Sequence, residues 1–165
     1  MRTLSGEEAL VAERHFAEAA RVARQAKCLR AHGGSVIVSN GKIIGRGYNS
    51  PPGEKESNRT CRNTYAGTEK PRFDLTCCVH AEWRAILDAQ KHHPEQLLGS
   101  RIYYIRINDD GSYRSAGKPY CTVCSRLALE VGIAEFALWH DDGSTVYDTT
   151  EYDQLSYQFF QPSKE

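Results

Sequence analysis

The sequence predicts an α/β fold in which a mixed sheet is covered by helices on both faces. Three observations carry this. The runs Ser35–Ser39 and Lys42–Tyr48 are separated only by Asn40-Gly41, a dipeptide that favours a tight hairpin, so this strand pair is antiparallel. The later strand-like stretches Arg101–Ile107 and Ile133–Trp139 each follow a helical pattern, and strand–helix–strand crossovers of that length imply parallel neighbours. At 165 residues the chain is expected to form one domain over its whole length, with a core that needs no cross-links.

The elements follow in order. Ser5-Gly6-Glu7-Glu8 has the form of a capping box, with Ser5 accepting from a backbone amide and Glu8 reaching back. Ala9 to Ala26 follows as a long first helix, free of Pro and Gly, with an apolar stripe of Leu10, Phe16, Ala20 and Ala23. His15 sits among charged neighbours and reads as a surface residue. Cys28-Leu29-Arg30 closes the helix, and Gly33-Gly34 breaks the chain before the first strand. Residues 50–78 make a long polar insertion rich in Pro, Gly, Lys and Arg; loops of this length in compact domains are usually functional or disordered. A second helix runs from Val79 to Lys91, and Asn108 to Gly117 is a polar, turn-rich loop. The third helix spans Cys121–Val131 and ends at Gly132 in a C-cap position. The acidic tail 140–165 carries a short last helix from Thr150, its cap, through Phe160, before a frayed end.

Chemistry concentrates in two stretches, Cys78-Val79-His80-Ala81-Glu82 and Pro119-Tyr120-Cys121-Thr122-Val123-Cys124. His80, Cys121 and Cys124 offer three ligands of the kind zinc takes, and three ligands leave a position for water where four would close the site. Cys121 and Cys124, three apart, share a face if they open a helix. Glu82 lies two residues after His80, so both reach one centre only if they sit in a first turn aimed at the metal, since each helical residue turns about 100°. Helix N-termini carry partial positive charge that favours thiolate and carboxylate there. Cys-x-x-Cys alone would fit a structural zinc half-site or a redox pair equally well. The joint pattern of His-x-Glu and the later Cys pair is instead the signature of zinc nucleobase deaminases, with Glu82 as proton shuttle.

The sequence resembles the cytidine and deoxycytidylate deaminase superfamily, most closely its deoxycytidylate (dCMP) branch. The likeness extends to Cys28-Leu29-Arg30, Gly34–Val38, Gly47–Pro52 and Leu127–Ile133, and covers roughly residues 8 to 140. Tyr120 departs from it, because the family places Pro directly before the first Cys. The resemblance implies a three-layer α/β/α fold, a homo-oligomer and hydrolytic deamination of a cytosine nucleotide. It also implies that Asn49 contacts the sugar and that backbone at Ala81 and Tyr120 holds the base edge. As an alternative to a sugar contact, Asn49 only makes the turn before Pro51-Pro52. Because Arg pairs bidentately with phosphate oxygens, Arg59, Arg62, Arg72 and Arg84 are candidates for a phosphate clamp, with a solvated loop face as the alternative. Arg84 follows His80 by four and is also open to pairing with Glu130 or an aspartate. Some relatives hold a second zinc in the insertion, for which Cys61, Cys77, Cys78 and His32 are the candidate ligands beside the one catalytic Zn2+.

Composition narrows the partners. Acidic and basic side chains balance at 21 each, so no bulk charge draws the chain to nucleic acid, and the expected partner is a small-molecule nucleotide. No apolar run approaches the roughly 20 residues of a spanning helix, and Met1 to Glu8 lacks the apolar core of a signal peptide. A cytoplasmic protein with no membrane contact is the expectation, its six cysteines thiols and ligands rather than disulfides. The rival readings are a deaminase of free cytidine or deoxycytidine, a purine base or tRNA adenosine, and an inactive zinc-stabilised binding module.

Overall fold

The computed structural model of the chain describes residues 1–60 and 77–159. In chain order its elements are β1 (Arg2–Thr3), α1 (Gly6–Ala23), β2 (His32–Ser39), β3 (Lys42–Tyr48), α2 (Ala81–His92), β4 (Arg101–Ile107), β5 (Tyr113–Arg114), α3 (Thr122–Glu130), β6 (Glu135–Leu138), β7 (Thr145–Asp148) and α4 (Thr149–Gln158). The strands form one sheet in the order β1-β7-β6-β4-β2-β3, with β5 paired to the end of β4 off this path. β4 and β6 are parallel, and the other ladders of the described residues are antiparallel. The sheet is therefore mixed, as expected.

Strand alternation sorts the side chains into two cores. Val36 and Val38 of β2, with Tyr103, Ile105 and Ile107 of β4, face Phe16, Ala19 and Ala23 of α1. Ile37, Ile102 and Tyr104 point the other way, toward Ala85, Ile86 and Ala89 of α2, Ala128 of α3 and Tyr152 of α4. The result is three layers, α1 on one face of the sheet and α2, α3 and α4 on the other. Gly47 decides how closely α2 approaches. A Cβ there would lie 2.1 Å from the Ala81 carbonyl oxygen and 2.4 Å from the Ala85 nitrogen. Bare backbone thus lets the first turn of α2 down onto β3 and fixes the height of His80 and Glu82 above the sheet.

Several local expectations hold. The hairpin turns at Asn40 and Gly41 with φ of 48° and 74°, and Gly132 takes φ 78° after α3. Others are corrected. β3 and β4 flank α2 in sequence but are not neighbours, because β2 pairs with both. Gly33 and Gly34 do not break the chain; β2 runs through them. Ser5 occupies the N-cap position of α1 without a side-chain cap bond, since Glu8 is drawn away to Arg2 and Arg101. His15 is buried, 9% exposed, with its ring 4.8 Å from that of Tyr103, because that face of α1 lies on β4. The last helix is capped by Asp148 rather than Thr150: the Asp148 carboxylate accepts from the backbone N–H of Thr150 at 2.9 Å and of Glu151 at 3.3 Å. The loop 108–117 contains β5, and the acidic tail contributes β7. No helix of the described residues is long and apolar enough to cross a membrane.

Candidate active site

Two helix N-termini meet at the site. His80 is the N-cap residue of α2, and Cys121 is the N-cap residue of α3, its Sγ accepting from the Cys124 N–H at 3.3 Å. A short bridge, with Val79 N–H donating to the Ser50 carbonyl at 2.9 Å, ties the segment before His80 to the end of β3. His80 Nδ1 lies 3.1 Å from Cys121 Sγ and 3.4 Å from Cys124 Sγ, and the two sulfurs are 2.9 Å apart. The three ligand atoms lie within 4.8 Å of one another, the one such group among the described residues.

Charge is redistributed inside this group. A hydrogen bond with Cys124 brings the Cys121 thiol down to about 5, while burial holds Cys124 above the ordinary thiol range. Against the lowering effect of burial, the Cys121 contact raises the His80 imidazole to about 9. Protons here compete with a metal, so metal affinity falls as pH falls.

Glu82 follows in the first turn of α2 and is 2% exposed, with its Oε1 buried and without a hydrogen-bond partner. Burial pushes its carboxyl above the usual range. An unpartnered buried carboxylate oxygen beside one imidazole and two thiols fits a zinc site with a bound water, because such an atom is otherwise costly to bury. The donor set and the orphaned oxygen together accept the metal that the sequence implied.

Aromatic and basic groups border this centre. The Tyr120 ring lies 6.2 Å from that of His80, and Arg106 Cζ stands 5.7 Å from the Tyr120 centroid. Arg106 Nε donates to Tyr104 Oη at 3.2 Å, and burial pushes the Tyr104 phenol up to about 12. Arg106 and Tyr104 escaped the sequence reading; their signal was the two-residue alternation of β4, which puts both on the face of Ile102 beneath α2 and α3.

The remaining sequence candidates take these positions. Asn49 Oδ1 accepts from the Gly33 N–H at 2.8 Å and its Nδ2 donates to the Ala31 carbonyl at 2.7 Å, leaving one amide hydrogen for a ligand. Ala81 is buried in the first turn of α2. Arg59 directs its fork at Glu56, at 2.6 and 2.7 Å, and at the Lys27 carbonyl. Arg84 pairs not with Glu130 but with Glu54, at 3.5 Å, and donates to the Pro51 carbonyl at 2.9 Å. Arg62, Arg72 and Cys61 lie outside the described residues. Cys77 and Cys78 are buried, and Cys77 Sγ accepts from the Thr60 N–H at 3.3 Å. Cys78 hydrogen-bonds Cys28, which was not among the second-zinc candidates; that bond helps bring Cys28 down to about 5. His32 stands 3.9 Å from Asp109 instead.

The family described as the cytidine and deoxycytidylate deaminase zinc-binding region matches residues 11–139. The chain belongs to this family. Its members are hydrolases acting on C–N bonds. A deoxycytidylate deaminase of Mycobacterium phage D29 is 30% identical over 121 residues, which cover 70% of this chain and 83% of the relative. Among solved structures, the dCMP deaminase of cyanophage S-TIM5 in complex with dCMP and dUMP superposes with a TM-score of 0.55 at 22% identity, covering 81% of this chain and 82% of that one. Its apo form gives 0.51 at 20% identity, with 77% and 80% covered. The fold of this deaminase chain is thus that of the dCMP deaminase structures.

Proposed function

We propose that this deaminase converts a cytosine nucleotide, dCMP, to dUMP with release of ammonia. The observation that carries the reading is the buried, unpartnered Glu82 oxygen in the same first turn as His80, facing the two cysteines at the N-terminus of α3. His80, Cys121 and Cys124 would hold one zinc ion, which when bound supplies Lewis acidity and lowers the pKa of a water toward ~7 from ~15.7. Glu82 takes one proton from the attacking water and delivers it to ring N3. It then takes the remaining proton of the new C4 hydroxyl, which becomes the carbonyl, and hands it to the departing amine as the C–N bond breaks. Burial raises its carboxyl above the ordinary carboxylate range, which favours its holding the proton between one transfer and the next. Ala81 and Tyr120 hold the base edge, and the spare amide hydrogen of Asn49 reaches the sugar. A phosphate held by one or two charge-assisted hydrogen bonds contributes about 1.5–3 kcal/mol each, and Arg59, Arg62, Arg72 and Arg84 remain the insertion-side candidates. We infer a homo-oligomer with a small-molecule nucleotide as its ligand.

A substrate panel scored by ammonia release tests this, together with elemental analysis. dCMP should be the best substrate by kcat/KM, at least about tenfold over deoxycytidine. One zinc per chain is expected, lost with activity in Cys121→Ala. A second zinc that disappears in Cys61→Ser would add a structural metal at the thiols before His80. Better turnover of deoxycytidine, a purine base or a tRNA stem-loop would overturn the substrate assignment, and no turnover of any of them by zinc-loaded protein would return the chain to a binding module.

A further inference from the structure

We propose that Arg106, seconded by Arg114, is the residue pair by which this enzyme reads the 5′-phosphate of a pyrimidine nucleotide; this rests on the cytosine-nucleotide reading above. Arg106 is half-buried, yet among the described residues it forms no ion pair with a carboxylate. Its guanidinium makes one hydrogen bond, from Nε to Tyr104 Oη, and its remaining donors are left over for a ligand. Glu82 acts on Arg106 electrostatically without reaching ion-pair distance, so the half-buried cation has a distant counter-charge and no hydrogen-bonded anion, which a bound anion would supply.

The neighbourhood strengthens the argument. In the β4–β5 ladder the residue opposite Arg106 is Arg114, so two cations stand side by side on one face of the sheet. Like charges directly opposite across strands are destabilising. Arg114 has no carboxylate partner among the described residues either. The hairpin that creates this pair is firmly held. Tyr113 meets Trp139 edge-on at 5.4 Å, the Ala116 N–H donates to the Trp139 carbonyl at 2.9 Å, and Ser115 Oγ lies 2.8 Å from His140 Nδ1. A local repulsion built into a rigid element is the arrangement a phosphate dianion would relieve.

Position makes the anion part of the substrate. Arg106 stands over the Tyr120 ring, which neighbours His80, and its partner Tyr104 reaches to Gly33, where a Cβ would meet Tyr104 Oη at 3.0 Å. The Gly33 N–H is the donor to Asn49. The cation therefore borders both the proposed base contact, through Tyr120, and the strand that carries the proposed sugar contact, through Tyr104 and Gly33. Arg59 and Arg84, by contrast, carry carboxylate partners in Glu56 and Glu54, although Arg84 Nε is buried without a hydrogen-bond partner among the described residues. Arg fits the task because its fork matches phosphate oxygens two at a time.

The test uses the zinc-loaded full chain and its Arg106→Gln, Arg106→Lys and Arg114→Gln variants, with zinc content and melting temperature as folding controls. Two ratios are read: kcat/KM for dCMP over deoxycytidine, and the Kd of deoxyuridine over that of dUMP by calorimetry. Arg106→Gln should lower both ratios at least about tenfold, through KM more than kcat. Arg106→Lys, which keeps the charge without the fork, should recover part of them. Arg114→Gln, at an exposed position, should lower them less. Unchanged ratios in Arg106→Gln, or a loss common to nucleotide and nucleoside, overturn the assignment while leaving the nucleotide reading intact. Should Arg106→Gln fail to fold, unchanged ratios in both Arg106→Lys and Arg114→Gln overturn it equally. A wild-type preference for deoxycytidine overturns both.

Discussion

Glu82 shows how one side chain acquires a role from its surroundings. Its carboxyl is 2% exposed, has an oxygen without a hydrogen-bond partner among the described residues, and lies in the first turn of a helix whose N-cap is His80, one of three grouped donors that could hold a metal. Glu82→Gln keeps the shape and removes the exchangeable proton, so kcat should fall by ~10²-fold or more while zinc content and dUMP affinity persist. Steady-state kinetics beside metal analysis checks this, and normal turnover by the variant would remove Glu82 from the proton path. At this scale the sequence was informative for the metal group. His80, Cys121 and Cys124 stand in a spacing with few physical uses, and the structure brings their ligand atoms within 4.8 Å. It was silent on Arg106, because an arginine in an alternating strand reads as a solvent-facing residue until a second layer is known to cover that face. It also left Cys28, whose contact with Cys78 joins the end of the α1 region to the approach of α2 across fifty residues, out of the second-zinc candidates.

The height of α2 over the sheet is set by an absence of side chain. Gly47→Ala would put a methyl 2.1 Å from the Ala81 carbonyl oxygen and 2.4 Å from the Ala85 nitrogen, both backbone atoms that cannot swing aside. The helix must lift, which should cost roughly 1–3 kcal/mol in denaturant melts. It should also lower kcat by up to ~10²-fold, because Ala81 and Glu82 travel with it. Wild-type values for both would show that α2 has room to spare. Elements were legible where pattern was local: the Asn40-Gly41 turn, the periodic helices and the β-branched runs. β1, β5 and β7 were not, being two to four residues long and too short to show an alternation, and β1 is in addition held by a partner distant in sequence. The capping box failed for a similar reason, since the form of Ser5 to Glu8 is local but Arg101, ninety-three residues away, competes for Glu8.

Across the whole molecule the balanced charge hides a division of labour. Acids on α1 pair with arginines of the sheet, while on the opposite face Arg106 and Arg114 form no ion pair among the described residues. Glu18 is the clearest of the former: a hydrogen bond from Arg21, helped by another from Arg46 of β3, holds it at about 2, below its ordinary 4.5. A depressed carboxylate contributes stability that is complete above about 4.5 and is lost as pH falls toward about 2. Denaturation midpoints should therefore drop through that window. Glu18→Gln should flatten the drop while costing roughly 0.2–1 kcal/mol at neutral pH, the range of exposed pairs. A drop of the same size in the variant would assign the acid sensitivity elsewhere. The sheet has one further consequence, in the time order of folding. Arg2 and Thr3 pair with Val146 and Thr145, so the outermost strand waits for chain synthesised more than 140 residues later. During translation β7 emerges late, and the His80, Cys121 and Cys124 group at the ends of α2 and α3 can come together before Arg2 and Thr3 find their strand partner.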